Sequence, residues 1–137
     1  MTPALPPPTQ DERTMALLAH LLQIFTGFLA PLVIYFLRRQ SPFVAFHSLQ
    51  ALFWQLILAA AYLVGTVLIL VTLAADHGTG KGPSGGTIAI LVVYWLAMFC
   101  TSLVNLGVAV YFTVKASKGE WAENPLVARW ARQAAGL

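Results

Sequence analysis

Histidine is the side chain best suited to chemistry near neutral pH, and this chain carries three, at positions 20, 47 and 77. His20 and Gln23 lie one helical turn apart. His47, Gln50 and Trp54 follow at i, i+3 and i+7, so on a helix they share one face. Groups in this pattern could relay a proton, ligate a metal or hydrogen-bond between helices. A relay or a catalytic base needs a titratable partner, and the apolar stretches around His20 and His47 hold no carboxylate. No pair of histidines has zinc-like spacing, and Asp76-His77 alone is a weak ligand pair. Hydrogen bonding between helices by neutral side chains is the better reading for His20, Gln23, His47, Gln50 and Trp54. A proton or ligand site is the sharper alternative.

Other routes to catalysis fare no better. The glycine-rich stretch 76–86 lacks the lysine–hydroxyl pair of a phosphate loop, and no nucleophile–base–orienter set stands out. Cys100 has no charged neighbour in sequence to activate its thiol, so it reads as a small packing residue. The expectation is a non-enzyme without cofactor or metal.

The elements that must position these side chains follow from the charge distribution. Eight basic and five acidic residues leave three runs wholly uncharged: 14–37, 40–75 and 82–114. Each exceeds the roughly 20 residues that a helix needs to cross about 30 Å of hydrocarbon. With 58% hydrophobic and 9% charged residues, such helices have no polar face to turn to water. The predicted architecture is all-α: a membrane bundle of three transmembrane helices plus a short C-terminal amphipathic helix. The spans fall at about 14–37, 46–75 and 87–114 within a membrane domain over residues 11–118. A loose proline-rich tail, residues 1–10, precedes it, and an interfacial tail, residues 119–137, follows.

Local signals refine that outline. Gly27 and Pro31 predict a bend in the first span. Ser41-Pro42 is a helix start, and five glycines between 76 and 86 predict a connector exposed to water. After Asn124-Pro125, projection at 100° per residue puts Leu126, Val127, Trp130, Ala134 and Leu137 on one arc. That arc suits a bilayer surface, and a partner protein is the alternative.

With three crossings, Arg38, Arg39, Lys115, Lys118, Arg129 and Arg132 fall on one side, against Arg13 and Lys81 on the other. The positive-inside rule then places the C-terminus in the cytoplasm and the N-terminus outside a bacterial inner membrane. On this topology His20 sits toward the outer face and His47 toward the inner. The net charge of +3 belongs to helix ends and lipid headgroups, so no nucleic-acid partner is expected.

Small and polar residues recur every fourth position in the third span, at Ala97, Thr101, Asn105, Ala109 and Thr113, and Ala61 and Gly65 pair in the second. Such ridges let helices approach closely, within one chain or between copies. The expected partners are the lipid bilayer and either a second copy or another membrane protein. His47, Gln50 and Trp54 are expected to meet the 120–125 turn.

Several short motifs together carry a family likeness. Glu12-Arg13-Thr14, Ala19-His20-Leu21, and Ser41-Pro42-Phe43-Val44 with His47, Gln50, Ala51 and Leu52 resemble the MamF/MmsF-like family of small bacterial membrane proteins. Gly119-Glu120-Trp121 followed by Pro125-Leu126 resembles its closing motif. That family is itself distantly similar to the chloroplast Tic translocon proteins. The resemblance spans residues 11–127 and implies three membrane spans, a capacity for self-association, and a link to magnetosome crystal growth. This chain departs from the pattern at Phe53, where asparagine is usual, and in its longer glycine-rich connector. The reading it supports is a small multi-pass protein acting through helix-mediated assembly. The alternatives are a transport or translocation component, or a magnetosome-type protein that influences biomineralisation.

Overall fold

The first helix begins where Thr9 and Glu12 satisfy each other's backbone. The Thr9 hydroxyl accepts from the Glu12 N–H at 3.3 Å, and the Glu12 carboxylate accepts from the Thr9 N–H at 2.7 Å. In this computed structural model, which describes residues 6–78, 80 and 82–137, the elements are α1 (Gln10–Thr26), α2 (Leu29–Arg38), α3 (Pro42–His77), α4 (Gly85–Ser117) and α5 (Ala128–Ala135). No strand occurs among the described residues.

The chain divides into two compact units. One takes in the chain up to Leu56 together with Leu106–Leu137, and the other is Ile57–Asn105. Two helices, α3 with 36 residues and α4 with 33, are long and apolar enough to cross a bilayer.

The first predicted span is where fold and expectation part. Residues 14–37 do not form one helix with a bend. Gly27 takes φ +59°, ψ −127°, a conformation open to glycine because it lacks a Cβ, and the chain reverses there. α1 and α2 then pack side by side, and Asp11 at the start of α1 meets Arg38 at the end of α2 at 2.9 Å. The described fold therefore has two helices of spanning length, not three. Placing the N-terminus and the Arg38-Arg39 loop on opposite faces relied on a single crossing by residues 14–37. The Asp11–Arg38 contact removes that basis.

In the first unit α1 runs alongside the start of α3. Ser41 donates to the Glu12 carboxylate at 2.6 Å and accepts from the Val44 N–H at 3.3 Å, so one hydroxyl caps α3 and ties it to α1. Alanines on α1 and α4 keep the backbones close: Ala16, Ala19, Ala109 and Ala116 are fully buried. Phe43 fills the space between Ala16 and Ala116. Ala19, Ile34 and Val44 form a second patch.

α5 closes this unit by laying Ala128 and Ala131 on Phe46, Leu49 and Leu52. Its inward face is centred on Val127, Ala128 and Ala131, displaced from the projected arc, and Leu126 and Trp130 stay exposed. The helix also starts later than Asn124-Pro125 suggested. Asn124 accepts from the Leu126 N–H through its side chain and from the Ala128 N–H through its carbonyl, which makes a turn first. Ahead of α1, Pro8 is buried and its carbonyl accepts from Arg13 Nε at 3.1 Å. Residues 6–9 are thereby held more firmly than a loose tail would be, and residues 1–5 lie outside the described residues.

The second unit has its own lock. A Cβ added at Gly65 would lie 2.4 Å from Tyr94 Cε2, so α3 has room for the tyrosine ring only because glycine stands there. The Tyr94 hydroxyl donates to the Tyr62 carbonyl at 3.4 Å, which leaves the Thr66 hydroxyl to donate to it at 2.8 Å. At the end of this unit Asp76 accepts from the Ser84 N–H, and Ser84 caps α4 through the Thr87 N–H. Gly65→Val should overpack this contact and cost about 1–3 kcal/mol of stability, read as a lowered unfolding midpoint in detergent. An unchanged midpoint would show that Tyr94 does not lock the two helices.

Candidate functional site

His20 on α1 and His47 on α3 are the centre of the buried polar chemistry. The expected topology kept them near opposite faces. The reversal at Gly27 lays α1 beside α3 instead, so His20 Nε2 comes within 3.1 Å of His47 Nδ1. Both rings are at most 2% exposed. Phe112 stacks on His20 at 5.4 Å between centroids, and Phe43 meets His47 edge-on at 4.6 Å.

The direction of the hydrogen bonds follows by elimination. His47 Nε2 lies 3.1 Å from the Glu120 backbone carbonyl, which can only accept, so Nε2 carries the proton. In a neutral ring Nδ1 is then the acceptor, and His20 must donate to it from Nε2. The series runs His20 to His47 to the 120 carbonyl. It leaves His20 Nδ1 as a bare acceptor, buried and unpaired among the protein groups described.

One turn along α3, Gln50 holds the same stretch of tail from both ends of its amide. Its Nε2 donates to the Ala122 carbonyl at 2.9 Å, and its Oε1 accepts from the Asn124 N–H at 2.5 Å. The contact with the 120–125 turn is thus made by His47 and Gln50. Trp54 lies on the same face, one further turn along, and is 9% exposed. Gln23 is 1% exposed, and neither end of its amide has a partner among the described protein groups. His20, Gln23, Gln50, Trp54, Phe112 and Asn124 line one narrow crevice.

Of the sequence-selected residues, the fold gathers five, His20, Gln23, His47, Gln50 and Trp54, in the first unit. Thr101 and Asn105 belong to the second, both half-buried on α4. His77 is exposed at the end of α3. Among the described residues no three histidine, cysteine, aspartate or glutamate side chains converge, and Cys100 is exposed rather than packed. Chemically the one open place for an extra proton on the pair is His20 Nδ1, and filling it needs no change of tautomer. The pair cannot take two, because both facing nitrogens would then carry hydrogen.

Sequence reasoning missed the outer shell of this site. Glu12 ties α1 to α3 through Ser41, and the Thr9-x-x-Glu12 spacing was its readable signal. Lys115 at the end of α4 pairs with Glu120 at 2.6 Å, and within the tail Arg132 on α5 pairs with Glu123, between the two Gln50 contacts. Hydrogen bonds from Ser41 and then from Thr9 hold the Glu12 carboxyl below its ordinary value of 4.5. The Lys115 ammonium likewise lowers Glu120.

Two measurements test this arrangement. Gln50→Leu would leave the Ala122 carbonyl and the Asn124 N–H without their partner, a loss on the order of 2 kcal/mol, with faster proteolysis of the tail. Unchanged stability and unchanged cleavage would remove the clasp. For Glu12 the folded value lies below the unfolded one. Its contribution is therefore complete above pH 4.5 and fades as pH falls through the folded value. Thermal midpoints should drop on acidification below about pH 4.5, and Glu12→Gln should flatten part of that drop, with Glu120 and Asp76 contributing to the remainder. A full-size acid drop in the variant would acquit Glu12.

A family model described as the magnetosome magnetite crystal formation protein family matches residues 11–131, which takes in the second unit, most of the first, the histidine pair and the first half of α5. No curated relative and no solved structure matches the chain. A match over this much of the sequence settles membership: the chain belongs to the MamF/MmsF family.

Proposed function

We propose that this small membrane protein acts without catalysis, by assembling with copies of itself or with another protein of the bacterial inner membrane. The observation that carries the reading is where polar and apolar groups are spent. His20 Nε2, His47 and Gln50 hold the chain's own segments together. The large side chains left over are apolar and outward: Leu63, Val67, Val93, Leu96 and Phe99 are each about half exposed or more. Among them the small residues Ala61 and Ala97 are also exposed, which leaves shallow places where another helix could approach closely. The tail carrying Lys115, Lys118, Arg129 and Arg132 fits the cytoplasmic side by the positive-inside rule.

A second reading draws on the family description, which ties these proteins to magnetite crystal formation. On it, the assembly forms on an intracellular membrane where mineral grows, and the protein influences growth through membrane organisation. A tagged copy found only in the plasma membrane of a vesicle-forming host would count against this reading. A transport role is the third candidate, and ion or substrate flux in reconstituted vesicles would favour it over assembly.

Assembly is tested most directly on the α4 ridge. Ala97→Leu and Asn105→Leu should lower the fraction of crosslinked dimer in native membranes several-fold, with monomer stability tracked in parallel. Crosslinking at the level of the unchanged chain in both variants would dismiss this face as the contact.

A further inference from the structure

The α1–α2 pair has a polarity that runs along its length. At its open end stand charges and caps: Asp11 with Arg38 at 2.9 Å, and Glu12 with Ser41 at 2.6 Å. At its closed end stand Phe25, Phe28 and Leu29, which are 80%, 45% and 56% exposed. Farther along α2, Phe36 remains 62% exposed.

The turn satisfies several of its own backbone groups. The Thr26 hydroxyl donates to the Leu22 carbonyl at 2.9 Å and accepts from the Ala30 N–H at 3.2 Å, so one side chain serves the end of α1 and the start of α2. Gly27 N–H reaches the Gln23 carbonyl at 2.9 Å. Pro31 stands in the first turn of α2, where an N–H would have no helical acceptor, and it has none to satisfy. Each backbone group satisfied internally lowers the cost of placing the turn in hydrocarbon.

Length decides how far such a hairpin can go. α1 has 17 residues and α2 has 10, about 25 Å and 15 Å. Beyond the His20–His47 contact α1 continues for only six residues, about 9 Å, whereas α3 runs on for thirty, about 45 Å. The hairpin turns back long before α3 ends.

We propose that α1 and α2 form a re-entrant hairpin whose apolar tip is covered by the acyl chains of one leaflet, so that both termini lie on the same side of the membrane. This rests on α3 and α4 being the two crossings, and it replaces the opposite-sided termini that a single span over residues 14–37 would give. Arg13 then joins Arg38, Arg39, Lys115, Lys118, Arg129 and Arg132, so seven of the eight basic residues share one face, with Lys81 alone in the connector. The positive-inside rule makes that face cytoplasmic.

The test uses the full chain in native membranes, in a Cys100→Ser background, with single substitutions Gln10→Cys, Phe25→Cys, Ser84→Cys and Leu137→Cys. A membrane-impermeant maleimide is applied to spheroplasts and to inverted vesicles. Gln10→Cys and Leu137→Cys should label only in inverted vesicles and Ser84→Cys only in spheroplasts. Phe25→Cys should resist the aqueous reagent on both faces of intact membranes yet label once the membrane is dissolved in a denaturing detergent. Leu29→Cys substitutes for Phe25→Cys if the latter fails to accumulate. Labelling of Gln10→Cys and Leu137→Cys from opposite faces would overturn the hairpin, as would aqueous labelling at the tip. Disulfide-linked dimers through Phe25→Cys would overturn the lipid cover in favour of a second copy. Ser84→Cys labelling from the same face as Leu137→Cys would instead sink the two-crossing reading beneath the proposal.

Discussion

Three separate stretches of chain meet at the His47 imidazole. α1 donates to it through His20, α3 carries it, and the segment after α4 accepts from it at the 120 carbonyl. Without it α1 would keep its ties at Glu12 and the tail would keep its ties at Gln50, but the hydrogen-bonded link between the two would be lost. Burial sharpens the effect, since a hydrogen bond shielded from water is stronger and an unpaired group there costs more. The aromatic rings of Phe43, Phe46 and Phe112 supply that shielding, and Trp121 extends it by packing on Phe43 and Phe46. The small residues do the rest. Ala16, Ala19 and Ala116 bring the backbones near enough for short polar side chains to span the gap.

The two units solve the same problem by different means. Around His47 and Gln50 the helices are joined by amide and imidazole groups that reach main-chain atoms. In Ile57–Asn105 they are joined by shape, with the Tyr94 ring seated where Gly65 offers no side chain and its hydroxyl satisfied by Thr66 and Tyr62. Lipid favours both devices, because it provides neither a hydrophobic drive between helices nor water to satisfy polar groups left over.

Much of this was legible from the sequence. The long uncharged runs mark α3 and α4, and the i, i+3, i+7 placement of His47, Gln50 and Trp54 marks the face that meets the 120–125 turn. The Thr9-x-x-Glu12 cap was equally readable and went unread. The reversal at Gly27 was not legible in the same way. A glycine and a proline four residues apart inside an apolar run serve a kinked helix as well as a turn. What separates the two is whether α1 gains more by lying along α3 than by continuing as α2, and that balance sits in contacts such as His20 with His47 that no local pattern encodes. The position of α5 was illegible for a related reason. Projection ranks residues by apolarity, whereas the fold chose Ala128 and Ala131 because only small side chains fit over Phe46 and Leu49.

His47 and Gln50 hold the tail through its main chain alone: two carbonyls and one amide, at 120, 122 and 124. Peptide atoms are the same whatever residue bears them. Substitutions at 122 and 123 could therefore accumulate without loosening these hydrogen bonds, provided the strip keeps its length and path, whereas Trp121 also packs on Phe43 and Phe46. Descendants of a common ancestor could share the fastening yet differ in letters beneath it, while an inserted or deleted residue would break it at once.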